Sequence, residues 1–202
     1  MFTGIVQGCA TLRSRTVSEA GERWCIGGPA HLFQNLEIGA SVAVNGCCLT
    51  AVARAADWME VDLVGETLAR THFGDLSEGA SLNLERSLKF GDEVGGHILS
   101  GHVHCCAQLI ARDGETFRFR APPEWAKYLI SKGFIGLAGC SLTLGALGPA
   151  DGEFCVHLIP ETLRLTNLDA LAEGDRVNIE FEQQTVAVVE TVERVLAVRG
   201  AG

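Results

Sequence analysis

The sequence predicts an all-β protein built from two similar small domains in tandem. Two observations support this prediction: short strand-like runs dominate the chain, and segments of the first half return in the second half in the same order. NGCCLTAVA at 45–53 returns as AGCSLTLGA at 138–146, ETLART at 66–71 as ETLRLT at 161–166, and LNLE at 82–85 as VNIE at 177–180. The spacing of 93 to 95 residues is the size of a small domain and too long for a solenoid repeat.

Strands are predicted where β-branched and aromatic residues cluster and partly alternate with polar ones. The runs are ASVAVNGCCLTAVA, WMEVDLV, SLNLERS, TFRFRA, FCVHLI and RVNIEFE. Turn residues separate them, as in RDGE at 112–115 and ADGE at 150–153. Short strands at close spacing favour small barrels or sandwiches over a parallel sheet.

Two short helices are predicted at equivalent places in the two halves. PAHLFQNL at 29–36 and PEWAKYLI at 123–130 each open on proline, which suits the first helical position, and they are 94 residues apart. The segments 68–74 and 163–168 are too short for an assignment from pattern alone.

The tail at 183–198 reads as a helix with an apolar stripe. Val188, Val192, Val195 and Leu196 fall on one face of it. From the pattern alone, this helix either closes its own domain or joins subunits, and the pattern favours the first.

Composition and charge exclude several classes. The chain has 202 residues, of which 47% are hydrophobic and 20% charged, as in ordinary globular proteins. A net charge of -9 without a cluster of basic residues argues against nucleic-acid binding. No apolar run approaches the roughly 20 residues of a membrane span, and the N-terminus has no secretory layout, so a cytoplasmic protein is expected.

The eight cysteines do not form a metal or redox motif. They contain no CxxC, and the adjacent pairs Cys47-Cys48 and Cys105-Cys106 lack the separated spacing of zinc ligands. Free thiols, most of them small buried side chains, are predicted. This excludes a cysteine-based redox or metal protein.

Several motifs resemble the riboflavin synthases over essentially the whole chain. They are MFTGIVQG at the start, NGCCLT at 45–50, LNLERSLKFGDEVGGHILSGHV at 82–103, KGFIG at 132–136, HLIPETLRLTNL at 157–168 and the closing VVETVERVLA. MFTGIV together with GGHxxSGHV is the most specific combination. The resemblance implies two six-stranded antiparallel Greek-key barrels, at 1–97 and 98–186, each holding one lumazine. It also implies that residues 187–202 form a helix and tail that assemble a homotrimer, whereas the residue pattern alone favoured a helix that closes its own domain.

The implied reaction is a dismutation. Two molecules of 6,7-dimethyl-8-ribityllumazine exchange a four-carbon unit and give riboflavin and 5-amino-6-ribitylamino-uracil. No cofactor and no metal are implied, because the pteridine ring is itself the electron sink. Holding two rings face to face would contribute up to about 7–11 kcal/mol. The working site would join the N-terminal half of one subunit to the C-terminal half of its neighbour, and an association with lumazine synthase stays open.

Matching motifs residue by residue gives the binding residues that the resemblance implies. In the first half they are Gly4, Ile5, Val6, Ser41, Cys48, Leu49, Thr50, Asp62, Leu63, Val64, Gly65, Glu66 and Thr67. In the second half they are Gly101, His102, Val103, Lys132, Ser141, Leu142, Thr143, His157, Leu158, Ile159, Pro160, Glu161 and Thr162. Strand-end backbone suits the polar edge of a pteridine, and glutamate and threonine suit ribityl hydroxyls.

Chemistry is expected where the two repeats disagree. Cys48 aligns with Ser141, and Ile5 aligns with His102. A thiol is a stronger nucleophile than a serine hydroxyl, so Cys48 is predicted to add to a lumazine ring or to shuttle a proton. Ser141 and Thr143 are predicted to position water or relay protons. His102 is predicted to be a general base or acid, the alternative being a bond to strand backbone.

Three residues depart from the usual family pattern. Ala138 stands where aspartate is common, and Cys140 stands where an aliphatic residue is common. Glu182 replaces an aspartate, keeps the carboxylate one methylene longer, and is counted among the catalytic residues. Lumazine binding is expected to be retained despite these three changes. The turnover rate or the identity of the substrate is the property that they would alter.

A binding protein is the competing class. Relatives of this fold hold a lumazine or flavin as a chromophore and do no chemistry. Such carriers should lose the polar residues of one pocket, whereas this chain keeps Cys48 in one half and His102, Lys132 and Ser141 in the other. The sequence therefore favours an enzyme.

Overall fold

The computed structural model describes residues 1–19 and 21–200, which form two antiparallel six-stranded barrels. The strands of the first barrel are β1 (Gly8–Ser18), β2 (Gly21–Gly27), β3 (Ser41–Val44), β4 (Cys47–Arg54), β5 (Trp58–Val64) and β6 (Ser81–Arg86). Those of the second are β7 (Cys105–Asp113), β8 (Thr116–Arg120), β9 (Phe134–Leu137), β10 (Cys140–Thr143), β11 (Glu153–His157) and β12 (Arg176–Phe181). The predicted fold class of two tandem barrels is confirmed.

The two barrels share one topology. The first closes in the order β1-β2-β5-β4-β3-β6. The second follows the equivalent order β10-β9-β12-β7-β8-β11 and stays open between β10 and β11, where the first barrel joins β4 to β5. The boundaries at 97 and 186 stay a prediction.

Alternation of apolar and polar residues explains the barrel walls. In β8, Phe117 and Phe119 are buried while Arg118 and Arg120 point outward. The run at 40–53 forms two strands because Asn45 and Gly46 both have positive φ, 42° and 78°, as a two-residue hairpin requires.

The predicted helices at 29–36 and 123–130 are shorter than expected. The structure has 3-10 helices at Ala30–Leu32 and Pro123–Tyr128. Leu32, Phe33 and Leu36 are buried in the first barrel, and Asn35 at φ 54° turns the chain away from a helix.

The segments that pattern left unassigned are also short helices. α1 (Gly65–Arg70) precedes a 3-10 turn at His72–Asp75, and α2 (Pro160–Leu165) precedes its equivalent at Asn167–Ala170. α1 follows β5 directly and α2 begins three residues after the end of β11, so each lies at the end of its barrel.

The C-terminal helix α3 (Gln183–Gly200) begins at the first residue of the helical segment predicted at 183–198. The Glu182 carbonyl accepts the first intrahelical hydrogen bond, from the Val186 N–H, so Glu182 stands at the N-cap position, and its carboxylate accepts from Thr185 Oγ1 at 2.7 Å. Val186 and Val189 pack on the second barrel, whereas the predicted apolar stripe is exposed. Residues 201–202 of the predicted tail lie outside the described residues. No helix of the described chain is long and apolar enough to cross a membrane.

Equivalent residues of the two barrels meet across an approximate twofold axis. Asn83 Nδ2 donates to the Ala138 carbonyl, and Asn178 Nδ2 donates to the Asn45 carbonyl, both at 2.9 Å. The hairpin glycines Gly46 and Gly139 touch, and a Cβ on Gly46 would lie 2.7 Å from the Gly139 nitrogen. Buried, fully bonded amides of this kind fix the relative orientation of the barrels.

Candidate functional site

The first segment of each half crosses over to the other barrel. Val6 belongs to the core of the second barrel, and Val103 packs against the core of the first. Between them, Phe2 and Leu99 pair as an antiparallel bridge with N–H to O distances of 2.8 and 3.0 Å. Each barrel therefore receives part of its wall from the other half of the chain.

The crossing regroups the predicted site residues. The Ser141 N–H donates to the Gly4 carbonyl, and the Cys48 N–H donates to the Gly101 carbonyl, both at 2.8 Å. Gly101–Val103 thus lie beside Cys48, and Gly4–Val6 lie beside Ser141. Grouping by halves of the chain separates residues that the structure brings together.

Two buried glutamates hold the crossing segments. Glu85 accepts from the Thr3 N–H, the Thr3 hydroxyl and the Gly4 N–H at 2.6 to 3.0 Å. Glu180 does the same for Ser100 and Gly101, at 2.7 to 2.9 Å. Burial raises the pKa of Glu85, and the bonds from Thr3 and Gly4 oppose that shift.

A cavity of about 330 Å³ opens in the second barrel beside Ser141. Seven of the predicted binding residues line it, namely Lys132, Ser141, Leu142, Thr143, His157, Ile159 and Thr162. The cavity mixes apolar side chains with hydroxyls, an ammonium and an imidazole. This is the composition of a site for a polar heterocycle with a hydroxylated chain.

Ser141 is held by His97. His97 Nδ1 lies 2.6 Å from Ser141 Oγ, and the His97 N–H donates to the same oxygen at 3.1 Å. His97 is 7% exposed and stacks on Phe134.

The equivalent surface of the first barrel carries different groups. Cys48 is half-buried, whereas its neighbour Cys47 is buried, and burial raises the pKa of Cys47 to about 12. Asp62 pairs with Arg23 at 2.7 and 2.9 Å, and this pairing lowers the Asp62 pKa. The matching residue of the second barrel, His157, instead bonds Thr116 at 3.0 Å. The two sites therefore present different polar groups.

Other predicted site residues are engaged elsewhere. Glu66 pairs with Arg70, and Glu161 pairs with Arg164, both on exposed surface. Leu63 and Leu158 point into the barrel cores, and the Glu182 carboxylate bonds Thr185 in the first turn of α3. The remaining predicted residues are placed as follows: Ile5, Thr50, Val64, Gly65, His102 and Pro160 are exposed, Ser41 and Thr67 are half-buried, and Leu49 is buried.

Leu144 and Gly145 line the cavity but were missed by sequence reasoning. They continue directly from Ser141–Thr143, so the strand run was the available signal. Ala138, a departure from the family pattern, lies 1% exposed at the twofold axis rather than among the residues that line the cavity.

Comparisons with known proteins agree with this geometry. The family model described as "Lumazine binding domain" matches twice, at residues 3–87 and 100–182. Riboflavin synthase of Escherichia coli (strain K12) is 47% identical over 204 residues, covering 98% of this chain and 95% of the relative. Crystal structures of LumP complexed with riboflavin (TM-score 0.81, 27% identity, 91% of this chain and 100% of that one) and with 6,7-dimethyl-8-(1'-D-ribityl) lumazine (0.77, 28%, 89% and 98%) match the fold. The chain belongs to the riboflavin synthase family.

Proposed function

We propose that the protein converts two molecules of 6,7-dimethyl-8-ribityllumazine into riboflavin and 5-amino-6-ribitylamino-uracil by transfer of a four-carbon unit. The observation that carries this proposal is the duplication of one site with unlike reactive groups, Cys48 in one barrel and Ser141 in the other. Two copies of one substrate need two similar pockets, and a donor and an acceptor need different chemistry. The two products together contain all atoms of the two substrates, so no oxidant or cofactor is consumed.

The cavity of the second barrel supports stabilisation of an anionic ring. Loss of a proton from the 7-methyl group leaves negative charge on the pteridine. Lys132 and the hydroxyls of Ser141 and Thr143 line the cavity that would hold it. Preorganised donors of this kind lower the free energy of a charged transition state.

The first barrel supplies the candidate nucleophile and base. Gly101 packs against Cys48, and the next residue is the exposed His102. We infer that Cys48 adds to the acceptor lumazine and that His102 exchanges the proton. Glu182 is proposed to act through its charge, since it lies beside His97 and opposes the fall in the His97 pKa.

Direct assay tests the proposal. Purified protein incubated with the lumazine alone should form riboflavin and the pyrimidine in equal amounts, measured by absorbance and chromatography. One observation supports the alternative that the protein is a carrier: it shares its fold with LumP, which is crystallised with riboflavin and with the lumazine. Tight binding of lumazine without product would establish the carrier and exclude the enzyme.

Replacing Cys48 by serine is expected to lower turnover by about tenfold or more while leaving lumazine affinity within about threefold. The two side chains have similar shape, but the hydroxyl is the weaker nucleophile. Steady-state kinetics and fluorescence titration measure the two quantities. Cys25→Ser, on β2 of the same barrel, is the control and should retain activity. Unchanged turnover in Cys48→Ser would remove Cys48 from the mechanism.

We propose that α3 joins three copies of the chain and that each working site lies between two subunits. Val188, Val192, Val195 and Leu196 are 46 to 63% exposed on the isolated chain, although they form one apolar stripe. Stripes of this size are usually covered by a partner. An association with lumazine synthase and a cytoplasmic location stay predictions.

Truncation before Thr185 tests the role of α3. We expect a folded, monomeric protein with little activity, because the truncation removes the exposed apolar stripe and leaves the twelve strands of both barrels in place. Native mass spectrometry reports the subunit number, and circular dichroism reports the fold. A truncated chain that remains trimeric would show that other surfaces assemble it.

A further inference from the structure

His97 and Ser141 form a pair whose geometry restricts where the serine proton can lie. Ser141 Oγ receives the His97 backbone N–H at 3.1 Å and lies 2.6 Å from His97 Nδ1. Stacking on Phe134, with ring centroids 5.1 Å apart, fixes the plane of the imidazole. Ser141 lines the cavity, whereas His97 is not among the residues that line it, so Ser141 is the member of the pair next to a ligand bound there.

The tautomer of His97 decides which way the serine proton points. Either the hydroxyl donates to Nδ1 and Nε2 carries the ring proton, or Nδ1 donates to Oγ and Nε2 is bare. Nε2 is buried without a hydrogen-bond partner among residues 1–19 and 21–200. A buried N–H that lacks an acceptor is especially rare in folded proteins. The arrangement therefore favours the proton on Nδ1.

The ring is expected to be neutral under ordinary conditions. Burial lowers the pKa of His97, and this effect exceeds the opposing influence of the Glu182 carboxylate. A neutral imidazole with its proton on Nδ1 has one donor, and that donor faces Ser141 Oγ.

We propose that His97 is a positioning residue that donates to Ser141 Oγ, so that the serine O–H points into the cavity as a hydrogen-bond donor to the pteridine ring. The identity of that ligand rests on the proposed function, whereas the His97 tautomer does not. With two donors on Oγ, its own proton is left for the ligand. A ring atom that accepts this bond stabilises the electron pair that forms when the methyl proton leaves.

The first barrel does not repeat this arrangement. Ser41 stands where Phe134 stands, and Cys48 stands where Ser141 stands. The oriented hydroxyl is therefore a property of one site of the two. By this proposal, the second barrel would bind the lumazine that loses the methyl proton, and Cys48 would act on the other lumazine.

Nitrogen NMR of the unliganded protein tests the tautomer without any activity. We expect a protonated, pyrrole-type shift at His97 Nδ1 and a bare, pyridine-type shift at Nε2 at neutral pH. The reverse pattern would mean that Ser141 donates to the histidine, and it would overturn the proposal. His97→Asn identifies the signals by their loss.

Kinetics of matched variants test the positioning role. His97→Leu removes the donor and should lower kcat about five- to tenfold, with KM changed less than threefold. His97→Asn keeps an N–H at the δ position and should recover most of the loss. In a Ser141→Ala background, His97→Leu should cause no further loss. A full additional loss in that background would show that His97 acts independently of Ser141.

The outcomes separate this inference from the proposed function. If the wild-type protein forms no riboflavin, the proposed enzyme fails. The NMR assignment of the His97 tautomer and the riboflavin affinities of the same variants would then still test the role of His97. If His97→Leu does not fold, the comparison of wild type with His97→Asn and Ser141→Ala carries the test.

Discussion

Gly101→Ala is expected to destabilise the protein by about 2–6 kcal/mol and to disturb the site around Cys48. Gly101 has φ 81°, where an L side chain is strained. A Cβ there would also lie 2.5 Å from the Cys48 Cβ and 2.9 Å from the Cys48 nitrogen. The strain and the overpacking each contribute about 1–3 kcal/mol. Denaturant unfolding measures the loss as a lower midpoint with an unchanged slope.

Gly79→Ala separates the two causes. Gly79 has φ 93°, but a Cβ at this position would meet nothing within 4 Å, so this variant carries the strain without the clash. We expect it to lose about 1 kcal/mol. Equal losses in the two variants would show that the close approach of Gly101 to Cys48 contributes nothing. Since the Gly101 carbonyl accepts the Cys48 N–H, the clash should also lower riboflavin affinity at that barrel, while Gly79→Ala should not.

The repeat in the sequence predicted more than the number of domains. Asn83 and Asn178, which are 95 positions apart, make equivalent hydrogen bonds to the opposite barrel, and Gly46 and Gly139, which are 93 positions apart, meet each other. The equivalence of Cys48 and Ser141 is likewise structural, since the N–H of each donates to a glycine carbonyl from the other half. Alternation of apolar and polar residues predicted the strands, because one face of each strand lies against a barrel core and the other faces outward.

The exchange of the first segments could not be predicted from pattern. Val6 and Val103 are apolar in either arrangement, and only three-dimensional packing decides which barrel each one enters. The grouping of site residues depends on that choice. Apolar periodicity predicted a helix at 183–198, and the structure has α3 at Gln183–Gly200. Glu182 was predicted only as a catalytic carboxylate, whereas here it also stands at the N-cap position of that helix. The role of His97 depends on a 2.6 Å contact between residues 44 positions apart, which no local motif encodes.

His72 should make the protein sensitive to mild acid. The pKa of His72 falls from 6.5 to about 4, because burial and, to a smaller extent, the charge of Arg176 lower it more than Asp75 and Asp175 raise it. Asn45 Nδ2 lies 3.1 Å from His72 Nε2. Because Asn45 Oδ1 accepts from the Asn83 N–H, the amide nitrogen is the donor, and the ring nitrogen must stay unprotonated to accept it.

The sign of the pH dependence follows from the two states. Above pH 6.5 the histidine is neutral in both the folded and the unfolded chain, and it costs nothing. As the pH falls below 6.5, the histidine of the unfolded chain binds a proton, whereas His72 of the folded protein does not. The free energy of unfolding therefore decreases until about pH 4. One pKa unit is about 1.36 kcal/mol, so the interval corresponds to about 3 kcal/mol.

His72→Asn should remove this acid-dependent loss. The second repeat has Asn167 at the equivalent place, so the backbone there accommodates asparagine. Unfolding free energies of wild type and variant, measured from about pH 7.5 down to about pH 4, should diverge by about 3 kcal/mol in favour of the variant. His31→Asn removes an exposed histidine as the control and should follow the wild-type curve. Parallel curves for wild type and His72→Asn would mean that the folded protein accepts a proton on His72, and that the amide network at the axis rearranges to allow it.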